Sequence, residues 1–342
     1  VLKDDDEAIE VTGASILLAV GTRPYRPDCI PFDGETVFDS NEILGMNELP
    51  RSMVVLGAGV IGIEYASIFS VLDVAVTVID PKKAMLGFID DEIVENFSYQ
   101  IRDQNIRLLL GQSAQKVERL PNGKVMVAVD TGRQILTDMV LFAGGRLGAT
   151  DALNLAVVGL EADARGRLLA NPETFETATP GVYAAGDVIG FPSLASTSME
   201  QGRIAARVAM GAIAQEPQKY FPYGIYAVPE ISTCGLTEEE MRERGLPYEC
   251  GIARFRETSR GHIMGLQTGL LKLIFSLKTR RLLGVHIVGE GATELIHIGQ
   301  AVLNLKGTVD YFVENTFNFP TLAEAYKIAG LDAWNRMGEK QI

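Results

Sequence analysis

Residues 53–64 read Met53-Val54-Val55-Leu56-Gly57-Ala58-Gly59-Val60-Ile61-Gly62-Ile63-Glu64, and no other stretch constrains the fold as tightly. A run of β-preferring apolar residues meets three glycines spaced G-x-G-x-x-G, and a helical pattern starts at once. Gly57 allows the tight turn, Gly59 lets a pyrophosphate approach the backbone, and Gly62 lets the helix pack closely on its strand. Val60 and Ile61 open that helix, where free N–H groups and the positive end of the dipole favour phosphate. Ile63–Phe69 continues the helix, and Val74–Ile79 makes a second buried strand ending in Asp80, 23 residues beyond Gly57. An acid there stands about where a ribose 2′-hydroxyl needs an acceptor. Three glycines alone would be a turn in any α/β protein. Strand, turn, helix, strand and acid in this order indicate a dinucleotide site.

The 342 residues allow two or three domains with proper cores. A formal charge of −13, from 31 basic against 44 acidic residues, argues against general binding to nucleic acid or anionic membranes. Cys29, Cys234 and Cys250 are isolated, without a C-x-x-C pair or metal-ligand spacing, so no metal is expected. They suit a reducing cytoplasm, as buried core thiols. No apolar run approaches a membrane span. The chain opens Val1-Leu2-Lys3-Asp4-Asp5-Asp6-Glu7 without an initiator Met, which reads as the interior of a longer protein.

In chain order, Val1–Thr12 reads as paired strands around a charged turn. Ala14–Leu18 is a buried strand running into Gly21 and Pro24, either a change of direction beside a cofactor or a plain strand end. Residues 25–50 form a connector with a short helical piece near Asn41–Met46. After Asp80, Lys82-Lys83 stand where the 2′-phosphate of NADP would lie, or are solvated loop charges. A helix at Asp90–Asn105, a strand at Ile106–Leu110, strands either side of Pro121-Asn122-Gly123-Lys124 and a strand at Met139–Phe142 complete parallel strands with an inserted β-meander. That segment ends in Ala143-Gly144-Gly145-Arg146. Loops prevail over Leu147–Thr179. A buried strand then ends in Gly186-Asp187, whose carboxylate suits hydrogen bonds to a polyol chain or serves a turn. A helix starting at Leu194-Ala195 points its dipole toward negative charge. Past Tyr220, strands at Tyr226–Ser232 and Tyr248–Phe255, a charged helix at Thr237–Arg244, a hairpin over Gly269–Gly289 and helices at Ala292–Leu305 and Thr321–Arg336 form an α+β domain. Pro320 is expected to open the last helix. His262 in a loop, His286 in a strand and His297 on an apolar helix read as packed or solvated, not catalytic.

These pieces resemble the two-dinucleotide-binding-domain flavoprotein reductases, a pyridine nucleotide-disulphide oxidoreductase family. Ala19–Pro24 matches their first A-T-G-type segment, with Val20 in place of threonine. Gly57–Glu64 matches the nicotinamide-nucleotide fingerprint and Ala143–Arg146 the second A-T-G-type segment. Thr177–Asp187 matches the flavin-binding T…G-D motif, and Gly269–Gly289 the interface-domain hairpin. The five motifs span nearly all of the chain. The resemblance implies an α/β fold: a Rossmann-like NAD(P)-binding domain (51–147) inserted in a partial FAD domain (1–50 and 148–220), followed by an α+β interface (dimerisation) domain (221–342). It implies FAD, NAD and NADP as cofactors and a homodimer through 221–342. Gly57, Gly59, Val60, Ile61, Gly62, Asp80, Lys82 and Gly145 would hold the nicotinamide nucleotide. Gly21, Gly186, Asp187, Leu194 and Ala195 would hold the flavin. Glu64 would lie near the nicotinamide, where family members pair it with a lysine that this chain lacks.

Two departures refine the expected activity. The family's own opening G-x-G-x-x-G and redox cysteine pair are missing, so about the first quarter of a member is expected to be absent. Disulphide-reducing members end in H-x-x-x-x-E, where the histidine serves the thiols. Here Phe319 holds the histidine position and Glu324 keeps the acid. A phenyl ring cannot shuttle a proton. The wording of Gly186–Ser196, Ile296–Ala301 and Asn318–Thr321 is closest to the branch that passes hydride from NADPH to NAD+ through FAD, of the Si-specific type. Asp80 beside Lys82 suits both nucleotides. A lipoamide-type disulphide oxidoreductase and an inactive nucleotide-binding dimer scaffold are the alternatives.

Overall fold

The computed structural model describes residues 10–213 and 219–338, divided between two compact units: 10–25 with 146–213, and 26–145 with 219–338. The strands expected within Val1–Thr12 fall largely outside the described residues, and residues 10–12 carry none. The first unit opens with β1 (Ile16–Leu18) and β2 (Thr22–Pro24).

The chain then enters the second unit through β3 (Val37–Asp39) and a 3₁₀ turn at Glu42–Gly45, the expected short helical piece. There follow β4 (Ser52–Leu56), α1 (Val60–Val71), β5 (Ala75–Asp80), α2 (Asp91–Asp103) and β6 (Arg107–Leu110). A meander of β7 (Ala114–Arg119), β8 (Val125–Val129) and β9 (Gln134–Thr137) leads to β10 (Met139–Phe142). The parallel sheet has the order β3-β10-β4-β5-β6, with Leu56 paired to both Phe142 and Ile79. Both faces of its inner strands are covered, so Met53–Leu56 can be apolar at every position and buried throughout.

The first unit resumes with β11 (Arg146–Gly148), antiparallel to β2. Loops then lead to β12 (Val182–Ala184), parallel to β1, and α3 (Ala195–Ala209). β1 was expected to be buried. Ile16 and Leu17 are instead 47 % and 43 % exposed, because β12 is the one strand it pairs with among the described residues.

The second unit closes with an antiparallel sheet and its helices. In chain order these are β13 (Tyr223–Ile225), β14 (Ile231–Gly235), α4 (Glu238–Glu243), β15 (Tyr248–Arg254), α5 (Ser259–Met264), β16 (Leu270–Ser276), β17 (Leu282–Val288), α6 (Ala292–Asn304), α7 (Val309–Glu314) and α8 (Glu324–Met337). The sheet order is β13-β14-β17-β16-β15. Phe312 stacks on Tyr326 and meets Phe275 edge to face beneath it, in an apolar core shared with α6, α7 and α8. A second apolar cluster is continuous from Val55, Phe97 and Ile101 of the parallel sheet's layer to Ile231, Leu270 and Val288.

Several expectations are corrected here. The strand expected at Tyr226–Ser232 starts only at Ile231, with a separate short strand before it at Tyr223–Ile225, because Tyr226 and Val228 give their N–H groups to Glu64 Oε1 and Ser67 Oγ of α1 and Pro229 has none to give. The last helix starts at Glu324, not beside Pro320. α5 and α7 are too short for a visible period, and His262 lies on α5 rather than in a loop. Cys29 is exposed, while Cys234 and Cys250 are buried as expected. Among the described residues no helix is long and apolar enough to cross a membrane.

Candidate functional site

In the second unit, β4 runs into the glycine turn and α1 starts at once. Gly57 has φ +118°, and a Cβ on it would lie 2.5 Å from the Ala143 carbonyl oxygen. A Cβ on Gly62 would sit 2.0 Å from the Gly57 oxygen. Both glycines are therefore demanded by the protein's own backbone. Gly59 differs: it is exposed, and a Cβ there would meet nothing within 4 Å. Gly59 is also the N-cap of α1 and provides no side-chain cap. The N–H groups of Val60, Ile61 and Gly62 thus face the open side without helical partners, a cradle that fits a pyrophosphate.

Asp80, at the tip of β5, is buried and committed to the turn. Its Oδ2 accepts from Ala58 N at 2.6 Å, and its Oδ1 accepts from Lys82 N at 2.7 Å. Each carboxylate oxygen keeps lone-pair capacity for a hydroxyl. The Lys82 side chain is exposed, and its carbonyl accepts from Gly111 N at 2.8 Å. Gly145 takes φ +118° with open space where a Cβ would stand. Glu64, half-buried on α1, has Tyr226 N as partner at 2.8 Å. Burial raises its pKa above the ordinary glutamate value, against the pull of that N–H. Sequence reasoning supplied no partner for Glu64, since a backbone N–H 162 residues away leaves no mark in the sequence.

In the first unit, β12 gives way to a 3₁₀ turn at Gly186, which has φ +81° and whose N–H donates to Gln201 Oε1 of α3 at 2.7 Å. Asp187 Oδ2 accepts from Thr22 Oγ1 at 3.4 Å. Arg146 donates to the same hydroxyl through Nε at 2.8 Å and to the Thr22 carbonyl through Nη2 at 2.7 Å. Gly21, with φ +66°, turns the chain into β2 just before Thr22. Leu194 caps α3 without a side-chain bond, so the N–H of Ala195 and its neighbours are free at the helix start. Thr22, Arg146 and Gln201 were not singled out from sequence. The first two sit inside motifs quoted for their glycines; Gln201 carries no signal.

Among the described residues the carboxy-terminal positions bring no proton relay together. Phe319 is 66 % exposed, and Glu324 Oε2 accepts from Ser259 N at 3.3 Å. His286 is fully buried, with Nε2 on the Leu236 carbonyl at 2.9 Å and Nδ1 on Thr233 Oγ1. His297 is exposed and bonded to Gln300. Burial pushes the Cys234 and Cys250 thiols up to about 12, which leaves them protonated and unreactive. No group of His, Cys, Asp and Glu among the described residues could hold a metal.

Residues 1–202 match the model of the pyridine nucleotide-disulphide oxidoreductase family, and residues 221–329 that of its dimerisation domain. A soluble pyridine nucleotide transhydrogenase of Mycobacterium bovis is 47 % identical over 331 residues, 97 % of this chain and 70 % of the relative. The protein of that name from Shigella boydii is 42 % identical, covering 98 % and 73 %. The HOCl-induced flavoprotein disulfide reductase RclA from Escherichia coli superposes with a TM-score of 0.88 at 27 % identity, over 94 % of this chain and 74 % of that one. LpdA from Mycobacterium tuberculosis shares the fold, with a TM-score of 0.89 at 24 % identity over 96 % and 71 %. By matches that cover both its redox and its dimerisation regions, this chain belongs to the pyridine nucleotide-disulphide oxidoreductase family.

Proposed function

We propose that this protein is an FAD-dependent transhydrogenase that moves hydride from NADPH to NAD+ without a redox disulphide. One observation carries the choice within the family: Phe319, exposed and unable to exchange a proton, stands where thiol-handling members need a histidine. The identity with soluble pyridine nucleotide transhydrogenases over 97 % of the chain supports the same reading.

Val60, Ile61 and Gly62 would offer their N–H groups to the pyrophosphate over the open face of Gly59. Asp80 would accept from a ribose hydroxyl, and Lys82 would neutralise a 2′-phosphate. Such a pair discriminates weakly between NAD and NADP, which suits a donor and an acceptor that share one site. Gly145 would leave room for the nicotinamide end, near Glu64. Gly21, Gly186 and Asp187 would line the flavin's ribityl chain, with the α3 start at Leu194 and Ala195 facing the ring. FAD, when bound, supplies a two-electron carrier that accepts and returns hydride. The protein's part is to bind and orient each nucleotide. On this reading 51–147 serves the nicotinamide nucleotide, 1–50 with 148–220 the flavin, and 221–342 a homodimer in the cytoplasm.

The deciding experiment supplies FAD-loaded protein with NADPH and thio-NAD+ and follows reduction of the thio-nucleotide, with lipoamide as the competing acceptor. Turnover of thio-NAD+ with lipoamide untouched is expected. No thio-NAD+ reduction by flavin-loaded protein removes the transhydrogenase reading, and lipoamide consumption replaces it with disulphide chemistry. Stereospecifically deuterated NADPH reports whether transfer is Si-specific.

A further inference from the structure

The second unit holds a lysine with no access to water. Lys272, in the middle of β16, places Nζ 2.8 Å from Asp90 Oδ1 and 3.0 Å from Glu92 Oε2, and also donates to Glu238. Burial works to lower its pKa, but the hydrogen bonds to Asp90 and Glu238 outweigh it, so the ammonium stays charged. Asp90 is equally buried. It is the N-cap of α2, with Oδ1 accepting from Glu92 N and Oδ2 from Glu238 N at 3.1 Å. A buried ion pair is seldom better for stability than apolar residues of the same volume. What this one fixes is a position, since it joins the start of α2 to the antiparallel sheet.

Asp90 is also the far end of a strap. Residues 81–89 run from Asp80 to Asp90 and lie against the glycine turn. Leu86 N donates to the Ala58 carbonyl at 3.3 Å, while the Ala58 N–H is held by Asp80. Leu86 adopts φ +48°, a conformation that needs support from its surroundings. Ile89 N donates back to Leu86 O at 2.9 Å, and Met85, Leu86 and Ile89 are buried. The strap is thus pinned by Asp80 at one end and by the Asp90–Lys272 pair at the other. Ala58, the residue between Gly57 and Gly59, bonds through its N–H to Asp80, where the strap begins, and through its carbonyl to Leu86 within it.

We propose that Lys272 and Asp90 are positioning residues for the dinucleotide: their pairing seats the 81–89 strap on Ala58 and so holds the α1 N–H groups where a pyrophosphate needs them. The inference rests on the glycine turn being the dinucleotide site. Without Lys272 the charge on Asp90 has to draw in water or another donor. The first turn of α2 then shifts, and Ile89 and Leu86 follow it.

The test titrates NADPH, and separately ADP-ribose, calorimetrically into wild-type protein and into Lys272→Met and Asp90→Asn variants. Urea melts establish the folded fraction of each. Lys272→Met is expected to bind both ligands about tenfold more weakly, and Asp90→Asn, which keeps the cap but loses the charge, about threefold. In FAD-loaded protein the KM for NADPH rises by more than kcat falls, which a loss of bulk stability alone does not produce. Should Lys272→Met fail to fold, Asp90→Asn decides alone. Folded variants that bind both ligands within about twofold of wild type overturn the inference. Wild-type protein that binds neither ligand sinks the dinucleotide reading itself, and the inference with it.

Discussion

Two strands that look alike in the sequence meet opposite fates. Ile16-Leu17-Leu18 of β1 and Met53-Val54-Val55-Leu56 of β4 are both short apolar runs ahead of a glycine. β4 lies between β10 and β5 with helices over the sheet, and its apolar residues are at most 5 % exposed. Among the described residues β1 pairs with β12 alone and leaves two leucine-sized side chains in solvent. An apolar run states what a strand would bury, whereas the number of its neighbours decides what it does bury. The pattern is legible; the partners are not.

The comparison breaks most easily by making one chemical change in both places. Leu141, on β10 beside β4, is fully buried. Leu141→Ala removes the same atoms as Leu17→Ala, yet it leaves a cavity and is expected to cost about 2–5 kcal/mol. Leu17→Ala is expected to stay within about 0.5 kcal/mol of wild type. Trp334, the single tryptophan, stacks under Arg280 in the second unit and reports its unfolding in urea. Circular dichroism follows the other variant. Equal losses would mean that β1 is covered in solution.

Much of the second unit was readable because its signals are local. Gly57, Gly59 and Gly62 sit within six residues, Thr237 and Glu240 form a capping box, and the hairpin β16–β17 announces itself by length and turn. What stayed hidden was pairing across long separations. Lys272 looks like one more strand residue until Asp90, 182 positions away, is seen beside it. The break in the sheet between Ile225 and Ile231 depends on Glu64 and Ser67, which nothing near Pro229 foretells. In the first unit the glycines of the motifs stood out, while the Arg146–Thr22–Asp187 chain required the two hydroxyl and guanidinium positions to be brought together by β2 and β11.

A smaller effect separates the glycines that shape the turn from the one that faces outward. Gly59→Ala adds a methyl that meets no protein atom within 4 Å, and its φ of −77° is open to any residue. The urea midpoint read at Trp334 should therefore stay at the wild-type value. NADPH affinity should fall about tenfold, or about 1.4 kcal/mol, because the methyl occupies the pyrophosphate's approach. Unchanged affinity would show that the ligand lies elsewhere, and the β4 turn would then be a folding device only.

The smallest expected effect lies in the buried polar groups that the second unit carries and β1 does not. Desolvation lowers the pKa of His286 below its ordinary value of 6.5, and its two hydrogen bonds fit the neutral ring. The unfolded chain takes up a proton there as pH falls through about 6.5, and the native state resists it. Stability from this group is therefore complete above the unfolded value and declines below it. For a ring that stays neutral when folded, the loss between about pH 7 and pH 6 is about 0.7 kcal/mol. The charges that face it do not blur the window. Burial works to raise the Asp90 carboxyl, but attraction to the His286 ring and to Lys272, with the Glu238 N–H, holds it below the usual carboxylate value, and Lys272 itself is pushed above the usual lysine value. Neither changes charge over that interval. Urea melts at the two pH values, read at Trp334, should show the loss in wild type and a flat response in His286→Gln, which starts from a lower stability. A slope that survives the substitution would place the titrating group elsewhere, and the acid sensitivity would no longer distinguish the buried sheet from the open one.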